Sequence, residues 1–453
     1  MKLTIGEVVQ AIEGELMNGS AQDKMTGVST DSRTIRKGDI FFALKGERDG
    51  HAHLPEVFAK GAQGAVIEPG RFSGGKNLIC VPDTLRALGD LAANWRRRFK
   101  APVVAITGSN GKTTTKDMVS QVLSKKYRVL QTEGNFNNLI GLPLTLFRLH
   151  HKIQLIVLEM GMNAPGEIDR LAEIAGPEVG VITNIGRAHL AGLKDLSGVA
   201  AAKGELLGRL PSNGLAILNA DDPYVLALAK RKHVRVMTFG QKRGDLRAGK
   251  IKSLGLKGSR FSVAGAGLKP APTVTLRVPG RQNISNALAA LAVGSHYGVG
   301  VAKMKQALAA FHMPAKRMES IKMGGVQIIN DTYNANPDSM KAALILLSEC
   351  PARRRIAVLG DMLELGDYAA QGHQDLGAEI NSLGIDWVMA VGQWSKQVVQ
   401  GVTRSKTQAA AFLDVAGLLA HWPVSLRKGD LVLIKGSRGM QMERVTEFLR
   451  RAH

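Results

Sequence analysis

The chain has 453 residues, enough for two to four domains of ordinary size, and we expect three. A composition of 45% hydrophobic and 22% charged residues, with only two cysteines, excludes a disordered chain and a disulfide-stapled secreted domain. The N-terminus lacks the apolar core of a secretory signal, and no run approaches the ~20 apolar residues of a membrane-spanning helix. We therefore expect a cytoplasmic protein with no transmembrane segment.

The formal net charge of +22 favours anionic partners, such as nucleotides, nucleic acid or an acidic membrane face. The basic residues form only short knots, at Arg96–Arg98, Lys230–Lys232 and Arg353–Arg355. Few aromatic residues lie among them to stack bases, which disfavours nucleic acid. A solvated basic surface, or weak contact with an acidic membrane, is the expectation.

The first unit, residues 1–98, predicts a small α/β domain. A short helical pattern opens it, and the apolar run Asp39–Leu44 predicts a buried strand.

The second unit, residues 99–312, predicts a parallel sheet covered by helices on both faces. Its evidence is a set of continuous apolar runs that alternate with helical stretches, at Val103–Ile106, Leu155–Leu158, Val179–Ile182 and Leu215–Leu218. Between about residues 240 and 280, short Gly- and Lys-rich strands and the loop Ala264–Pro270 predict a hairpin excursion. A helix is expected from about Asn283 to Tyr297, where Asn283 is the candidate N-cap.

The third unit, residues 313–453, repeats the pattern of apolar runs and helices. The predicted strands are Val326–Ile329, Ile356–Leu359, Val388–Val391 and Leu431–Ile434. A second doubly wound, Rossmann-like sheet follows from this pattern. The fold class is therefore α/β in three domains: a small N-terminal α/β domain, a central P-loop domain with a parallel sheet, and a C-terminal Rossmann-like domain.

A glycine-rich turn between a strand and a helix predicts an ATP site. Glycines let the backbone aim its N–H groups at phosphate oxygens, a lysine reaches the terminal phosphates, and a hydroxyl can bind Mg²⁺. The first glycine falls two residues later than in the general P-loop pattern, which leaves this physics unchanged. The predicted loop residues are Gly108, Ser109, Asn110, Gly111, Lys112, Thr113 and Thr114.

The loop Thr107–Thr114 resembles the T-G-x-N-G-K-T loop of the Mur ligases and the folylpolyglutamate synthetases. Three further segments resemble the branch of the Mur ligase family that adds D-alanyl-D-alanine: Gly134–Pro143, Leu359–Gly366 and Lys435–Met440. The resemblance covers essentially the whole chain, including Ser29–Arg33.

This resemblance implies an ATP-dependent amide-bond ligase whose substrates are UDP-N-acetylmuramoyl-tripeptide and D-alanyl-D-alanine. The first domain would hold the UDP-sugar peptide, the second would bind ATP, and the third would bind the incoming dipeptide. The peptide carboxylate would become an acyl phosphate, which the dipeptide amine attacks. A monomer is the expected state.

Four residues are the candidate catalytic residues: Lys112 from the phosphate loop, and Glu159, His189 and Lys203 from the resemblance. Glu159 ends a predicted strand at the carboxyl edge of the sheet, where α/β ligand sites lie. The phosphate loop makes the Thr113 hydroxyl a ligand of Mg²⁺. The resemblance adds Glu159 and His189 as Mg²⁺ ligands, and makes Lys203 a carbamylated lysine that helps to hold a second Mg²⁺. From the residues alone, His189 could equally be a core or surface histidine, and Lys203 a solvated helix lysine.

The resemblance also implies residues that bind the nucleotide and the substrates. Asn286 would recognise adenine, while Arg317 and Asp331 would reach the nucleotide from the third domain. Asp338, read alone, could simply cap a helix. The implied substrate residues are Ser29, Thr30, Asp31, Arg33, Asn135, Asn137, Asn138, Asn334 and Asn336.

Two alternatives stay open at this point. A neighbouring Mur-type ligase that adds another amino acid would share the phosphate loop, Glu159, His189 and Lys203. A P-loop ATPase or GTPase switch, or a nucleotide-binding module without chemistry, would need neither an acceptor loop nor residues for a second metal ion.

Overall fold

The computed structural model describes residues 1–72, 74–230, 234–265 and 271–452. Arg231 and Lys232 of one basic knot, and residues 266–270 of the predicted hairpin loop, lie outside the described residues.

The first unit is built on a five-stranded sheet in the order β2-β7-β6-β5-β4, in which only the pairing of β2 with β7 is antiparallel. The predicted strand is β5, whose four residues are all buried. A capping box between Thr4 and Glu7 begins α1, and the Asp83 carboxylate begins α3. The elements are β1 (Leu3–Thr4), α1 (Ile5–Ile12), β2 (Glu15–Leu16), β3 (Lys24–Met25), β4 (Gly27–Ser29), β5 (Asp39–Phe42), α2 (Leu54–Ala59), β6 (Gly64–Ile67), β7 (Leu78–Cys80) and α3 (Thr84–Arg97).

The second unit has a nine-stranded sheet in the order β16-β15-β14-β13-β12-β11-β8-β10-β9. Its elements are β8 (Val103–Thr107), α4 (Lys112–Leu123), β9 (Val129–Gln131), α5 (Gly141–Leu146), β10 (Leu155–Glu159), α6 (Glu167–Ala175), β11 (Val179–Ile182), α7 (Leu190–Leu193), α8 (Leu196–Gly208), β12 (Leu215–Asn219), α9 (Pro223–Leu228), β13 (Arg235–Gly240), β14 (Leu246–Ser253), β15 (Ser259–Gly265), β16 (Thr273–Leu276), α10 (Gln282–His296) and α11 (Val301–Ala309).

All four predicted strands of this unit are present, and they pair in parallel as expected. The excursion is an antiparallel extension formed by β14, β15 and β16. One correction concerns Asn283, which lies inside the first turn of α10. Arg281 occupies the N-cap position, and the Asn283 side chain donates to the Pro279 carbonyl instead.

The two faces of this sheet pack against different helices. Side chains of α4, α10 and α11 cover one face. On the other face, α3 and α6 pack in one continuous core that also contains residues of the first unit, such as Val8 and Phe42. The ion pair between Arg170 and Asp90 joins α6 to α3 at 2.6 Å. The first unit is thereby held against the second.

The third unit has a six-stranded sheet in the order β17-β18-β22-β19-β20-β21, parallel except for β17. This matches the predicted Rossmann-like sheet. Among the described helices, none is long and apolar enough to cross a membrane. The elements are β17 (Glu319–Met323), β18 (Val326–Asp331), α12 (Pro337–Glu349), β19 (Arg354–Gly360), α13 (Ala369–Ile380), β20 (Trp387–Val391), α14 (Ser395–Gly401), β21 (Gln408–Phe412), α15 (Val415–Ala420), β22 (Asp430–Lys435) and α16 (Glu443–Ala452).

Candidate active site

The candidate site lies at the carboxyl ends of three neighbouring strands, β11, β8 and β10. Parallel strands end at the same edge of a sheet, so the segments that follow them converge there. The glycine-rich loop follows β8, Glu159 ends β10, and the segment leading to His189 follows β11.

The glycine-rich loop needs its glycines because other residues crowd it. A Cβ at Gly108 would lie 1.9 Å from the Thr183 hydroxyl, and one at Gly111 would lie 2.5 Å from the Asn286 side-chain oxygen. Both glycines have positive φ, 148° and 79°, which other residues rarely adopt. The loop therefore tolerates no side chain at either position.

Residues after β11 hold the loop in shape. The Asn110 N–H donates to Asn184 Oδ1 at 2.8 Å, and the Asn110 carbonyl accepts from Asn184 Nδ2 at 2.9 Å and from the Thr183 hydroxyl at 2.6 Å. The loop leads into the N-terminus of α4, whose free N–H groups and dipole favour anions. Thr183 and Asn184 were not predicted from the sequence as residues of the site.

Lys112 is half-buried and folds back on the loop. Its Nζ donates to the Gly108 carbonyl at 2.8 Å and to the Ser109 carbonyl at 3.3 Å. Desolvation lowers the pKa of Lys112, although the Glu159 carboxylate acts in the opposite direction. The amine is thus placed among acceptors that a phosphate group could replace.

Glu159 is 2% exposed, and only one of its carboxylate oxygens has a partner. Asn137 Nδ2 donates to Glu159 Oε1 at 2.7 Å. The other oxygen, Oε2, is buried and accepts no hydrogen bond from the described residues. A buried, unpaired carboxylate oxygen is costly unless a cation or a donor joins it.

Two further asparagines, Asn138 and Asn135, lie close to Asn137 in the chain. Asn138 Oδ1 accepts from the N–H groups of Ile140 and Gly141 and so fixes the start of α5. Asn135 also faces the cavity.

His189 has a left-handed backbone, with φ of 58°, just before α7. Its Nδ1 lies 2.8 Å from the Glu364 carboxylate, which the third unit supplies. This hydrogen bond lowers the pKa of Glu364. The contact uses Nδ1, so Nε2 is the ring nitrogen left for another partner. Sequence reasoning included Glu364 in a motif but not among the site residues.

Lys203, on α8, is 1% exposed, so a solvated helix lysine is the wrong interpretation. Burial lowers its pKa well below the usual value, and the nearby Lys112 ammonium lowers it further. No carboxylate among the described residues forms an ion pair with it. A neutral amine is the favoured state in such surroundings.

Residues of the third unit complete the site. Asp331, at the end of β18, accepts from the Met318 N–H at 3.0 Å and pairs with the buried Lys435 at 2.5 Å. The Arg317 guanidinium lies 3.7 Å from the centre of the Tyr333 ring, and it donates to the Thr113 hydroxyl at 3.1 Å. Lys435 and Tyr333 were not predicted as site residues.

The loop before α12 also contacts the second unit. Asn336 Nδ2 donates to Asn110 Oδ1 at 2.8 Å, and the Arg187 N–H donates to Asp338 Oδ2 at 3.1 Å. Asn336, with Ser339, forms the cap of α12, so the reading of Asp338 as the helix cap is wrong. Asp338 instead joins the third unit to the second through its hydrogen bond from the Arg187 N–H.

Asn286 is buried against the loop rather than free. Its Oδ1 accepts from the Thr115 hydroxyl at 3.1 Å, and its Nδ2 donates to Asn283 Oδ1 at 2.9 Å. The Asn286 side chain therefore joins α10 to the first turn of α4, close to Gly111.

A cavity of about 890 Å³ lies between the second and third units. Most of the predicted site residues line it: Ser109, Asn110, Gly111, Lys112, Thr113, Thr114, Asn135, Asn137, Asn138, Glu159, His189, Asn286, Arg317, Asp331, Asn334 and Asn336. Among the described residues, Gly108, Lys203 and the Ser29–Arg33 segment are not part of this lining.

The Ser29–Arg33 segment is a turn of the first unit. The Ser29 hydroxyl accepts from the Asp31 N–H, and Thr30 lies between them. Arg33 donates through Nε and Nη2 to both oxygens of Asp31, at 2.9 and 2.7 Å, and holds the pKa of that carboxyl at about 2. Arg33 is largely exposed.

The residues of the cavity fit a magnesium ion. The described residues contain no group of three or more His, Cys, Asp or Glu that could by itself hold a metal ion. Mg²⁺ usually takes one or two carboxylates and completes its shell with substrate phosphates and water. Glu159 Oε2, which has no partner among the described residues, could be such a carboxylate ligand, and the glycine-rich loop would place phosphate oxygens close to it.

The fold and the cavity define a P-loop nucleotide-binding protein whose site is closed by a second α/β unit. Two family models match the chain: the Mur ligase middle domain at residues 106–294, and the Mur ligase, glutamate ligase domain at residues 316–438. The chain is 36% identical to the UDP-N-acetylmuramoyl-tripeptide–D-alanyl-D-alanine ligase of Bacillus subtilis, over 99% of this chain and 98% of that protein.

Solved structures agree with this similarity. A crystal structure of MurF from Acinetobacter baumannii matches with a TM-score of 0.92 and 33% identity, over 100% of this chain and 99% of that one. MurF ligase from Thermotoga maritima in complex with ADP matches with a TM-score of 0.84 and 29% identity, over 94% and 97%. The chain therefore belongs to the Mur ligase family.

Proposed function

We propose that this protein is the ATP-dependent ligase that joins D-alanyl-D-alanine to UDP-N-acetylmuramoyl-tripeptide. One observation carries the proposal: a phosphate loop, a buried carboxylate and an asparagine-rich loop from the third unit meet in one cavity. The relatives that match the chain over nearly its full length bear the name of this activity.

The proposed reaction has two steps. The terminal peptide carboxylate attacks the γ-phosphorus of ATP, so that a carboxylate oxygen–phosphorus bond forms and ADP leaves. The dipeptide amine then attacks the acyl carbon, the bond to the phosphate oxygen breaks, and phosphate and a proton are released. Such phosphoryl transfer needs positioning and positive charge more than a covalent nucleophile.

The second and third units both supply groups that would bind the nucleotide. Lys112 and the backbone N–H groups of Gly111–Thr114, at the start of α4, would hold the phosphates, and Arg317 would approach them from the third unit. Asp331, held by Lys435, would accept from the nucleotide, and Asn286 would fix the loop and contact the base. Arg317 bonds Thr113 directly, so docking of the third unit completes this set.

Thr113, Glu159 and His189 would hold Mg²⁺, and Lys203 as a carbamate would help to hold a second one. Mg²⁺ bound there would neutralise charge on the phosphates. Carbamylation requires a neutral amine, and the buried Lys203 beside Lys112 favours that form. The carbamate would reverse the local charge and so remove the repulsion between the two lysines.

We also propose that the three units act as domains: residues 1–98 for the UDP-sugar peptide, 99–312 for ATP and 313–453 for the dipeptide. Ser29, Thr30, Asp31 and Arg33 would contact the UDP-muramoyl moiety. Asn135, Asn137 and Asn138 would face the peptide, and Asn334 and Asn336 the dipeptide. The enzyme would act in the cytoplasm as a monomer, in peptidoglycan synthesis.

The test is phosphate release from ATP with Mg²⁺ and UDP-N-acetylmuramoyl-tripeptide, measured with and without D-alanyl-D-alanine. Mass spectrometry follows the nucleotide product. Dipeptide-dependent release together with the UDP-pentapeptide supports the proposal. Release that needs neither substrate would indicate a P-loop switch, and ligation only of a different amino acid would indicate another Mur-type ligase.

A further inference from the structure

The positive charge of the chain is concentrated in one segment, residues 242–281. This segment contains ten lysines and arginines and a single acidic residue, Asp245, a balance of +9 within the chain's +22. The nine described cations are all exposed, and we call them the basic edge: Lys242, Arg243, Arg247, Lys250, Lys252, Lys257, Arg260, Arg277 and Arg281. The short knots noticed in the sequence are minor by comparison.

Within the described residues, no side chain of the basic edge forms an ion pair with a carboxylate. Asp221 accepts only from the backbone N–H groups of Lys242 and Arg243. Elsewhere, some exposed cations do pair, as Arg209 does with Asp169 and Lys341 with Glu379. The one acid of the segment, Asp245, is occupied by the N–H and hydroxyl of Thr238. The edge therefore faces solvent as unneutralised charge.

The strand register also places two like charges of the basic edge opposite each other. Lys252 on β14 lies directly opposite Arg260 on β15, and both are exposed. Like charges at directly opposed positions of an antiparallel pair destabilise a sheet. An anionic surface bound over this pair would relieve the repulsion.

The basic edge is separate from the nucleotide site. The strands β14, β15 and β16 form one end of the nine-stranded sheet, with β13, β12 and β11 between them and β8. None of the nine cations lines the active-site cavity. Direct contact with a nucleotide substrate in that cavity therefore does not account for them.

We propose that the basic edge binds the surface of a membrane rich in anionic lipid. The only aromatic residue of the segment is Phe261, which is fully buried, so no exposed ring can stack a nucleic acid base. The exposed large hydrophobic residues of the described chain also lie outside it, so contact would be electrostatic and peripheral. A fluid layer of headgroups can match cations spread over a turn and several strands.

The experiment measures retention of the whole protein on vesicles containing about 30% phosphatidylglycerol in phosphatidylcholine, at about 50 mM and about 500 mM salt. The test variant is Lys250→Glu, Lys252→Glu, Arg260→Glu. The matched control is Lys396→Glu, Lys406→Glu, Lys428→Glu, which makes the same charge change at exposed lysines of the third unit that have no ion pair among the described residues. Circular dichroism and thermal melting confirm that both variants fold.

We expect the wild type to bind anionic vesicles at low salt and to be released at high salt. The test variant should bind at least about 10-fold more weakly, and the control within about twofold of the wild type. Equal losses in both variants, or no retention of the wild type, would overturn the proposal. If duplex DNA or RNA binds through the same residues more tightly than the vesicles do, the ligand of the basic edge is nucleic acid and the lipid proposal is wrong.

Ligation of soluble substrates should be unchanged in both variants, because the substituted residues lie outside the cavity. The vesicle result also stands whether or not the proposed ligase activity is found.

Discussion

At the scale of single residues, Lys203 shows most clearly how packing changes the meaning of a sequence position. The segment Val199–Leu207 is typical of an ordinary helix, in which a lysine is expected to face solvent. The structure buries this side chain beside Lys112, without an anion among the described residues. Burial and the neighbouring Lys112 both lower the pKa of Lys203 and so favour its neutral form, which is the form that can be carbamylated.

We predict that Lys203→Ala lowers the ligation rate at least about 100-fold at saturating substrate, as does loss of a transition-state contact in other enzymes. Labelled bicarbonate should give a carbamate ¹³C resonance in the wild type that disappears in the variant. Lys396→Ala, at an exposed position, is the control. Full activity of Lys203→Ala, insensitive to bicarbonate, would refute the role.

Glu364 is the second residue whose role depends on the fold. It reaches His189 Nδ1 from the third unit, and its carbonyl accepts from the Ala191 N–H at 3.2 Å. A carboxylate on one ring nitrogen fixes the tautomer and the orientation of the other nitrogen. Glu364 is therefore a positioning residue for the proposed metal ligand.

We predict that Glu364→Ala raises the Mg²⁺ concentration required for half-maximal ligation roughly 10-fold, as does loss of a carboxylate that orients a metal-binding histidine in other metal sites. Glu364→Gln keeps an acceptor for Nδ1–H and should recover most of the effect. ¹⁵N spectra of His189 in the metal-free protein report the tautomer independently. The same tautomer in all three proteins, with an unchanged Mg²⁺ requirement, would show that Glu364 acts only as a surface residue.

At the scale of an element, Asp430 anchors β22 at the centre of the third sheet. Its side chain is 0% exposed, and Arg354 of β19 donates to both of its oxygens at 3.0 and 2.6 Å. Burial alone would raise the pKa of Asp430, but the hydrogen bonds from Arg354 and the Arg427 N–H prevail and lower it. The pair fixes the register of two central strands.

We predict that Asp430→Asn lowers the free energy of unfolding by about 2 kcal/mol at neutral pH, because a charged hydrogen-bond acceptor is lost. The pKa is lower in the folded state, so this stabilisation is present above the unfolded pKa and is lost as pH falls through the folded one. The difference between wild type and variant in urea unfolding should therefore shrink below about pH 4. Asp367→Asn, at an exposed site, should change stability by less than about 0.5 kcal/mol. If the difference in unfolding free energy between wild type and Asp430→Asn stayed constant down to about pH 2, the stabilising role of the ionised Asp430 would be contradicted.

At the scale of the whole molecule, a few polar contacts dock the third unit on the second. They are Asn336 to Asn110, the Arg187 N–H to Asp338, and His189 to Glu364. A Cβ at Gly186 would lie 2.2 Å from Asp338 Oδ2, so a glycine permits this approach. The cavity takes its shape from the docking, because both units line it.

We predict that Gly186→Ala opens the junction, increases the radius of gyration in small-angle scattering and lowers ligation roughly 10-fold. Removing the clashing carboxylate in the double variant Gly186→Ala, Asp338→Ala should partly reverse both the increase in the radius of gyration and the loss of ligation. If the single variant keeps the wild-type dimensions and activity, the docked contacts do not control the site.

The sequence determined the local part of this protein. Continuous apolar runs predicted β8, β10, β11 and β12, because strands buried on both faces leave few polar residues. The phosphate loop was also readable, since it requires its glycines, Lys112 and Thr113 within one short segment. Glu159 and the Asn334–Asn336 turn were placed at strand ends, where α/β sites form.

Only the tertiary structure decided which distant segments meet. The burial of Lys203 comes from the packing of α8, the partner of His189 from a unit far along the chain, and the pairing of Lys435 with Asp331 from the adjacency of β22 and β18. The opposition of Lys252 and Arg260 follows from a strand register. Such contacts join residues far apart in sequence, so no local pattern encodes them, and the energies of burial and charge act only after the chain has folded.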